Sequence, residues 1–144
     1  NTTPLTTLIM EKEHLVIRIC LLIVFMAAEI IIQWNCRGLL SNLDDIYDIL
    51  SNHRPKILCL QETHLHPSQT NFLTQYIVFR NDRRNCLQPS GGVAIILQKS
   101  VACQQLQLQT SLEAVAVRAL IFDKLITVCS IYIPPDYRLS SVKV

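Results

Sequence analysis

The chain is organised around Ile30-Ile31-Ile32-Gln33-Trp34-Asn35-Cys36-Arg37-Gly38, an apolar run that ends abruptly in polar residues and a glycine. A second run of the same kind follows at Ile57-Leu58-Cys59-Leu60-Gln61-Glu62-Thr63-His64-Leu65. Between them, apolar residues recur at helical spacing from 43 to 50, after the turn and N-cap residues Ser41-Asn42. The pattern predicts a β-α-β unit. Its polar residues follow the carboxyl ends of two strands, where open α/β sheets bind ligands.

Beyond this unit the sequence predicts mostly strands. Apolar or alternating runs cover residues 76–80, 93–97, 112–122 and 125–133, and Asp123-Lys124 fits a tight hairpin turn. Pro134-Pro135 ends the last run. One β-α-β unit followed by antiparallel hairpins indicates an α/β sandwich with a mixed sheet rather than a doubly wound sheet.

The length and composition are typical of one globular domain. Half of the 144 residues are hydrophobic and 17% are charged, which argues against extensive disorder. The net charge of +2 is too small to indicate nucleic-acid binding by itself, so any DNA contact must be local. The nearest of the six cysteines, Cys20 and Cys36, are 16 residues apart, which excludes zinc-finger spacing. We expect reduced thiols that pack as small apolar groups, with a secreted disulfide framework as the alternative.

The apolar segment 15–32 has three interpretations: a transmembrane helix, a signal peptide, or a lead-in that stops where the domain begins. Its uninterrupted part, 19–28, is shorter than the roughly 20 residues that a bilayer needs. Glu11 and Glu13 do not suit the basic start of a signal peptide. We favour a lead-in over 1–25 and a domain over 26–144. The expected location is nuclear or cytoplasmic for a soluble chain, and a membrane if 15–32 form an anchor.

Glu62 and Asn35 are the candidate ligands at the two strand ends. A hard cation such as Mg²⁺ takes oxygen ligands and keeps several waters, so one or two carboxylates suffice. An Asn side chain donates to a phosphate oxygen or offers its carbonyl oxygen to a metal. The alternatives are a loop Glu that caps a helix and an Asn that starts the turn completed by Gly38. His64 and His66 have the spacing of a zinc pair, but we expect loop histidines without metal.

Three motifs resemble those of the endonuclease/exonuclease/phosphatase superfamily, and most closely the endonuclease domain of non-LTR retrotransposons. In chain order they are Gln33-Trp34-Asn35-Cys36-Arg37-Gly38, Leu60-Gln61-Glu62-Thr63-His64 and Ser130-Ile131-Tyr132-Ile133-Pro134-Pro135. The resemblance implies a partial four-layer α/β sandwich. It also implies a phosphodiesterase dependent on Mg²⁺, with Mn²⁺ as the alternative ion and without a small-molecule cofactor. Its partner would be DNA, nicked to leave a 3′ hydroxyl.

The resemblance also assigns roles to single residues. Glu62 would be a metal ligand, Asn35 would belong to the active-site network, and the Tyr132 phenol would hydrogen-bond the scissile phosphate. From the residues alone, a strand tyrosine such as Tyr132 fits the core equally well. Glu113, at the start of a long strand, receives no catalytic role, and we expect a surface or sheet-edge carboxylate.

Arginines supply the candidate DNA contacts. Arg37 follows the first motif, and Arg80, Arg83 and Arg84 form the basic cluster that precedes Gly91-Gly92. Such a loop can bind a DNA backbone through charge-assisted contacts to phosphate. A solvated surface loop is the alternative.

Two later motifs of the superfamily, Asp-x-Asn and Ser-Asp-His, occur nowhere in this sequence. We therefore expect the chain to be inactive as a nuclease on its own. We also expect the first sheet to lack the second sheet that should cover it, which would leave an exposed apolar face. The alternative functions are another hydrolase of the superfamily, in DNA repair or as a phosphatase, and a non-catalytic protein anchored to a membrane through 15–32.

Overall fold

The computed structural model describes residues 22–26, 29–84, 87–121 and 123–135, with side chains from Ile31 onward. Two sheets and one α-helix make up this part of the chain. In chain order the elements are β1 (Leu22–Met26), β2 (Glu29–Asn35), a 3-10 turn (Leu40–Asn42), α1 (Leu43–Asn52), β3 (Ile57–Gln61), β4 (Tyr76–Asn81), β5 (Val93–Gln98), β6 (Cys103–Leu106), β7 (Glu113–Ile121) and β8 (Lys124–Tyr132).

The larger sheet is mixed. Its five strands lie in the order β1-β2-β3-β5-β4, and β2 runs parallel to β3 while the other neighbours are antiparallel. Helix α1 makes the crossover between the two parallel strands. Strands β3 and β5 are buried on both faces, which explains why their sequences are continuously apolar rather than alternating.

Two cores hold the layers together. One, the inter-sheet core, lies between the larger sheet and the antiparallel sheet β6-β7-β8. Alternate residues of β7, such as Val115 and Val117, meet Ile57 and Ile95 there. The other, the helix-side core, packs the opposite face of the larger sheet, including Ile96, against α1 and the loops. The layers are therefore helix, sheet and sheet, and the predicted mixed α/β fold is confirmed.

The expectation of an uncovered first sheet is wrong. Strands β6 to β8 fold back over the larger sheet and bury its inner face in the inter-sheet core. Strand β6 was not predicted because Cys103-Gln104-Gln105-Leu106 carries no apolar pattern. Pairing of its backbone with β7 makes it a strand, which shows tertiary context overriding local propensity.

The predicted lead-in, 1–25, is only partly within the described chain. Residues 1–21 lie outside it, whereas Leu22–Met26 form β1 and pair with β2. The described residues of segment 15–32 thus lie in these two strands. Across the described ranges, no helix is both long enough and apolar enough to cross a membrane.

Side chains just before α1 stabilise the turn that follows β2. Asn42 occupies the predicted N-cap position, but its side chain makes no capping hydrogen bond to the helix. Its amide instead donates to the carbonyl oxygens of Cys36 (2.8 Å) and Gly38 (2.9 Å). The Ser41 hydroxyl donates to the same Gly38 oxygen (3.2 Å). These bonds hold the backbone that directly follows Asn35.

Candidate active site

The ends of several strands meet at one edge of the two sheets. Asn35 ends β2 and is the register partner of Gln61, the last residue of β3, so Glu62 follows at the same level. Tyr132 ends β8 opposite Glu113, the first residue of β7. The structure therefore brings together the three residues that the motifs singled out, and adds Glu113 to them.

Glu62 has an unusual backbone conformation. Its φ is +51°, in the left-handed region that side chains other than glycine rarely adopt. Bonds on both sides hold it there: its carbonyl oxygen accepts from the Gly38 N–H (2.8 Å), and the Thr63 N–H donates to the Gly92 oxygen (3.2 Å). A conformation that costs about 1–3 kcal/mol persists where the surroundings impose it, and such residues cluster at functional sites.

Tyr132 presents its phenol to Glu62. The ring is half-buried against the inter-sheet core. The pKa of Tyr132 is raised to about 12, chiefly by burial and in addition by the hydrogen bond to the Glu62 carboxylate and the charge of that carboxylate. The positive charge of Arg83 acts in the opposite direction. The phenol is therefore neutral at physiological pH and remains a hydrogen-bond donor.

Asn35 and Gln61 each place an unpaired oxygen at this edge. Asn35 Oδ1 and Gln61 Oε1 are buried and have no hydrogen-bond partner. Leaving a buried acceptor unpaired costs about 1–3 kcal/mol, so such atoms call for a donor or a cation. Amide and carboxylate oxygens are ligands of hard divalent cations. The Asn35 oxygen and the Glu62 carboxylate are thus donors of the kind that a hydrated divalent cation takes.

A metal cage built only from side chains is not present in the described ranges. No three His, Cys, Asp or Glu side chains there group closely enough to hold an ion. The His66 ring nitrogen Nδ1 is 2.6 Å from the Ser68 hydroxyl and accepts from the Ser68 N–H (3.2 Å). The backbone N–H of His64 donates to the Gly91 oxygen (2.9 Å). The two histidines therefore take part in local loop contacts.

A buried hydrogen-bonded bridge joins the two sheets just behind the site. Gln61 Nε2 donates to Ser130 Oγ (2.9 Å), and Ser130 Oγ donates to the Leu60 carbonyl oxygen (3.1 Å). Gln61 precedes Glu62, and Ser130 lies two residues before Tyr132, so the bridge connects the carriers of the carboxylate and the phenol. Sequence reasoning missed it, although a glutamine and a serine at buried strand positions are the available signal.

Glu113 is not the surface or sheet-edge carboxylate that the sequence suggested. It begins the middle strand of the smaller sheet, and its side chain is 17% exposed. Arg83 Nη2 lies 2.6 Å from Glu113 Oε2, Arg83 Nε donates to Oε1 (3.1 Å), and the Gly92 N–H donates to that same Oε1 (2.8 Å). The pairing with Arg83 and the bond from the Gly92 N–H satisfy this partly buried carboxylate.

The four arginines predicted to contact DNA fall into two groups. Arg80 is paired with Asp82 (2.7 Å) and lies over the Phe72 ring, 5.5 Å from its centroid, while Arg83 pairs with Glu113. Arg37 and Arg84 are exposed. Contact of any of these side chains with DNA stays a prediction, and the exposed pair has the guanidinium groups most accessible to a phosphate.

Comparisons with known proteins place this arrangement in a family. The sequence profile of the Endonuclease/Exonuclease/phosphatase family matches residues 32–141. The fold is similar to that of an AP endonuclease from Archaeoglobus fulgidus, at 23% identity over 78% of this chain and 44% of that one, with a TM-score of 0.52. A weaker similarity links it to the human Nocturnin catalytic domain with bound sulfate anion, at 17% identity over 69% and 46% of the two chains, with a TM-score of 0.46.

The chain spans less than half the length of either structure. No curated protein sequence matches it significantly. The family profile nevertheless covers more than half of the chain, including both sheets from Ile32 onward and every residue of the candidate site. The chain therefore belongs to the endonuclease/exonuclease/phosphatase family.

Proposed function

We propose that this chain is part of a Mg²⁺-dependent phosphodiesterase that acts on DNA, an endonuclease of the non-LTR retrotransposon type. The observation that carries the proposal is the grouping of Glu62, the unpaired Asn35 oxygen and the neutral Tyr132 phenol at one sheet edge. The residue sequences of the motifs at 33–38 and 60–64 support the retrotransposon type.

Each side chain then has a chemical role. Glu62 and the Asn35 oxygen hold a divalent cation, which when bound supplies Lewis-acid stabilisation of a phosphate ester. Tyr132 donates a hydrogen bond from its phenol to a non-bridging phosphate oxygen, and stays protonated because of its raised pKa. The exposed Arg37 and Arg84 neutralise neighbouring phosphates and so contribute a salt-dependent part of the affinity.

We further propose that the chain alone binds the cation but does not cleave. Hydrolysis needs a water that is both activated and aligned. Neither carboxylate at the site is available to activate this water, because Glu62 binds the cation and Glu113 pairs with Arg83. The Asp-x-Asn and Ser-Asp-His motifs that serve this purpose in the family are absent from the sequence.

A hydrolase of the same family with another phosphate-ester substrate, such as a repair nuclease or a phosphatase, is the second candidate. The same three groups would bind any phosphate ester beside a cation, since none of them contacts a base or a sugar in particular. DNA binding separates a nuclease of either kind from a phosphatase of small molecules, because such a phosphatase does not need an extended contact with phosphates.

The metal role is tested by titrating the full chain with Mn²⁺ and following free Mn²⁺ by electron paramagnetic resonance, with Mg²⁺ as competitor. We expect Glu62→Gln to weaken binding at least about tenfold. Asp45→Asn, which removes an exposed carboxylate on α1, should leave it unchanged. Equal Mn²⁺ affinity of the parent and Glu62→Gln would refute the metal site.

The substrate and the inactivity are tested with DNA. Binding to a labelled duplex should weaken in the double variant Arg37→Gln/Arg84→Gln, and the slope of log affinity against log salt should fall by about 2. Arg118→Gln removes an exposed arginine from the outer face of β7 and serves as the control. Nicking of a plasmid by the chain alone that disappears in Glu62→Gln would overturn the proposed inactivity.

A further inference from the structure

Arg83 and Glu113 form an ion pair at the candidate site although they lie 30 residues apart in the sequence. Two parallel contacts, Nη2 to Oε2 at 2.6 Å and Nε to Oε1 at 3.1 Å, make the pair bidentate, the geometry with the highest directional specificity. A Cβ on Gly91 would collide with Glu113 Oε1 and with the Arg83 guanidinium. A glycine at 91, with φ of +57°, is what lets the pair close against the backbone.

The pair connects to Glu62 by two routes. On one side, the Arg83 guanidinium lies 5.9 Å from the centroid of the Tyr132 ring, and the Tyr132 phenol is hydrogen-bonded to the Glu62 carboxylate. On the other side, Glu113 accepts from the Gly92 N–H (2.8 Å), and the Gly92 oxygen accepts from the N–H of the residue that follows Glu62 (3.2 Å). The contacts form a closed ring with the ion pair opposite Glu62.

Stability alone does not account for this ring. The Arg83 side chain is 32% exposed, and ion pairs in contact with water contribute about 0–1 kcal/mol because solvent screens them. The pair instead restricts the position of the side chains, because a planar guanidinium bonded at two points to a carboxylate has few alternative orientations. The Tyr132 ring contacts this guanidinium, and the Gly92 N–H donates to the carboxylate.

We propose that Arg83 and Glu113 are positioning residues, which hold the Tyr132 ring and the Gly91-Gly92 backbone so that the phenol faces the Glu62 carboxylate. The functional meaning of this placement rests on the proposed function. The placement itself is a property of the chain without metal or DNA. Arg83 thereby acts within the protein, in contrast to the exposed Arg84.

Fluorine NMR of the full chain labelled with 3-fluorotyrosine tests the placement directly. Tyr132→Phe identifies the Tyr132 resonance among those of the four tyrosines. We expect Arg83→Gln and Glu113→Gln each to shift the Tyr132 resonance while the others keep their positions, and Arg83→Lys to restore the parent position only in part, because it keeps the charge and loses the fork.

Arg80→Gln is the matched control. Arg80 also pairs with a carboxylate and lies over an aromatic ring, but these belong to Asp82 and Phe72 rather than to Glu113 and Tyr132. Its substitution should leave the Tyr132 resonance in place. An unchanged Tyr132 resonance in Arg83→Gln, or a shift shared equally by all tyrosines, overturns the proposal.

The Mn²⁺ titration distinguishes this proposal from the proposed function. A chain that binds no Mn²⁺ through Glu62 but shows the Arg83-specific shift of Tyr132 refutes the metal role and supports the positioning role. A chain with Glu62-dependent Mn²⁺ binding and no Arg83-specific shift supports the metal role and refutes the positioning.

Discussion

Replacing Ser130 by alanine should destabilise the chain far more than the loss of one small hydroxyl suggests. Ser130 is 1% exposed, and its oxygen links Gln61 Nε2 (2.9 Å) to the Leu60 carbonyl (3.1 Å). Gln61 is 5% exposed, and its amide oxygen already has no partner. The substitution would therefore leave both ends of a buried amide without a hydrogen bond.

The expected loss of stability follows from the number of buried polar groups left without a partner. An unsatisfied buried polar group costs about 1–3 kcal/mol, whereas removing both partners of a hydrogen bond can be nearly neutral. We therefore expect Ser130→Ala to lower the free energy of unfolding by about 2 kcal/mol. In the Gln61→Leu background the same substitution should lower the free energy of unfolding by less than about 1 kcal/mol, because no buried amide is then left without a hydrogen bond.

Urea unfolding of the four chains of this double-mutant cycle gives the coupling energy. Thr127→Ala, at an exposed position of the same strand, is the control and should stay within about 0.5 kcal/mol of the parent. A Ser130→Ala penalty below about 0.5 kcal/mol, or one that is equally large with and without Gln61→Leu, would refute this account of the bridge.

Three further outcomes are expected. Gly92→Ala should lower the free energy of unfolding in urea by more than about 1 kcal/mol, because φ is +85° and the new Cβ would lie 2.6 Å from Thr63 Oγ1; equal stability would contradict that. Glu62→Gln should lower the pKa of Tyr132 from about 12, since the carboxylate is one cause of its rise; alkaline titration of phenol absorbance, with Tyr132→Phe as blank, measures it. In the parent, the raised pKa contributes stability below the ordinary tyrosine value near 10, and this is lost as the pH rises through 12. Burial raises the pKa of the Cys59 thiol to about 12, so a thiol reagent should label it only at the rate of unfolding, and rapid labelling in the native chain would count against its burial.

The β-α-β unit was predictable because its pattern is local. Strands β2 and β3 are apolar runs bounded by polar residues, and α1 carries apolar side chains at helical spacing, so each element is visible without knowledge of its neighbours. The predicted strands at 76–80 and 93–97 agree with β4 and β5 to within one residue. Strand β6 has no such pattern and exists because β7 offers it a partner.

The candidate site likewise has a part that the sequence predicts and a part that it does not. That Asn35 and Glu62 lie together follows from the sequence, because the carboxyl ends of adjacent parallel strands meet at one edge. The contact of Tyr132 with this edge needed the family motif, since nothing local shows how β8 packs over β3. The Gln61–Ser130 contact spans 69 residues and crosses between the sheets, so no spacing rule reveals it.

The division of charge at this edge leaves one carboxylate, rather than two, available for the proposed cation. Glu62 and Glu113 both lie near Tyr132 and both raise its pKa. Glu113, however, accepts two bonds from Arg83 and one from the Gly92 N–H, so most of its lone pairs are occupied. Glu62 accepts from a neutral phenol, a weaker interaction that a divalent cation can displace. The ion pair with Arg83 thus keeps Glu113 from acting as a second ligand, and the proposed cation at Glu62 would keep water as its other ligands.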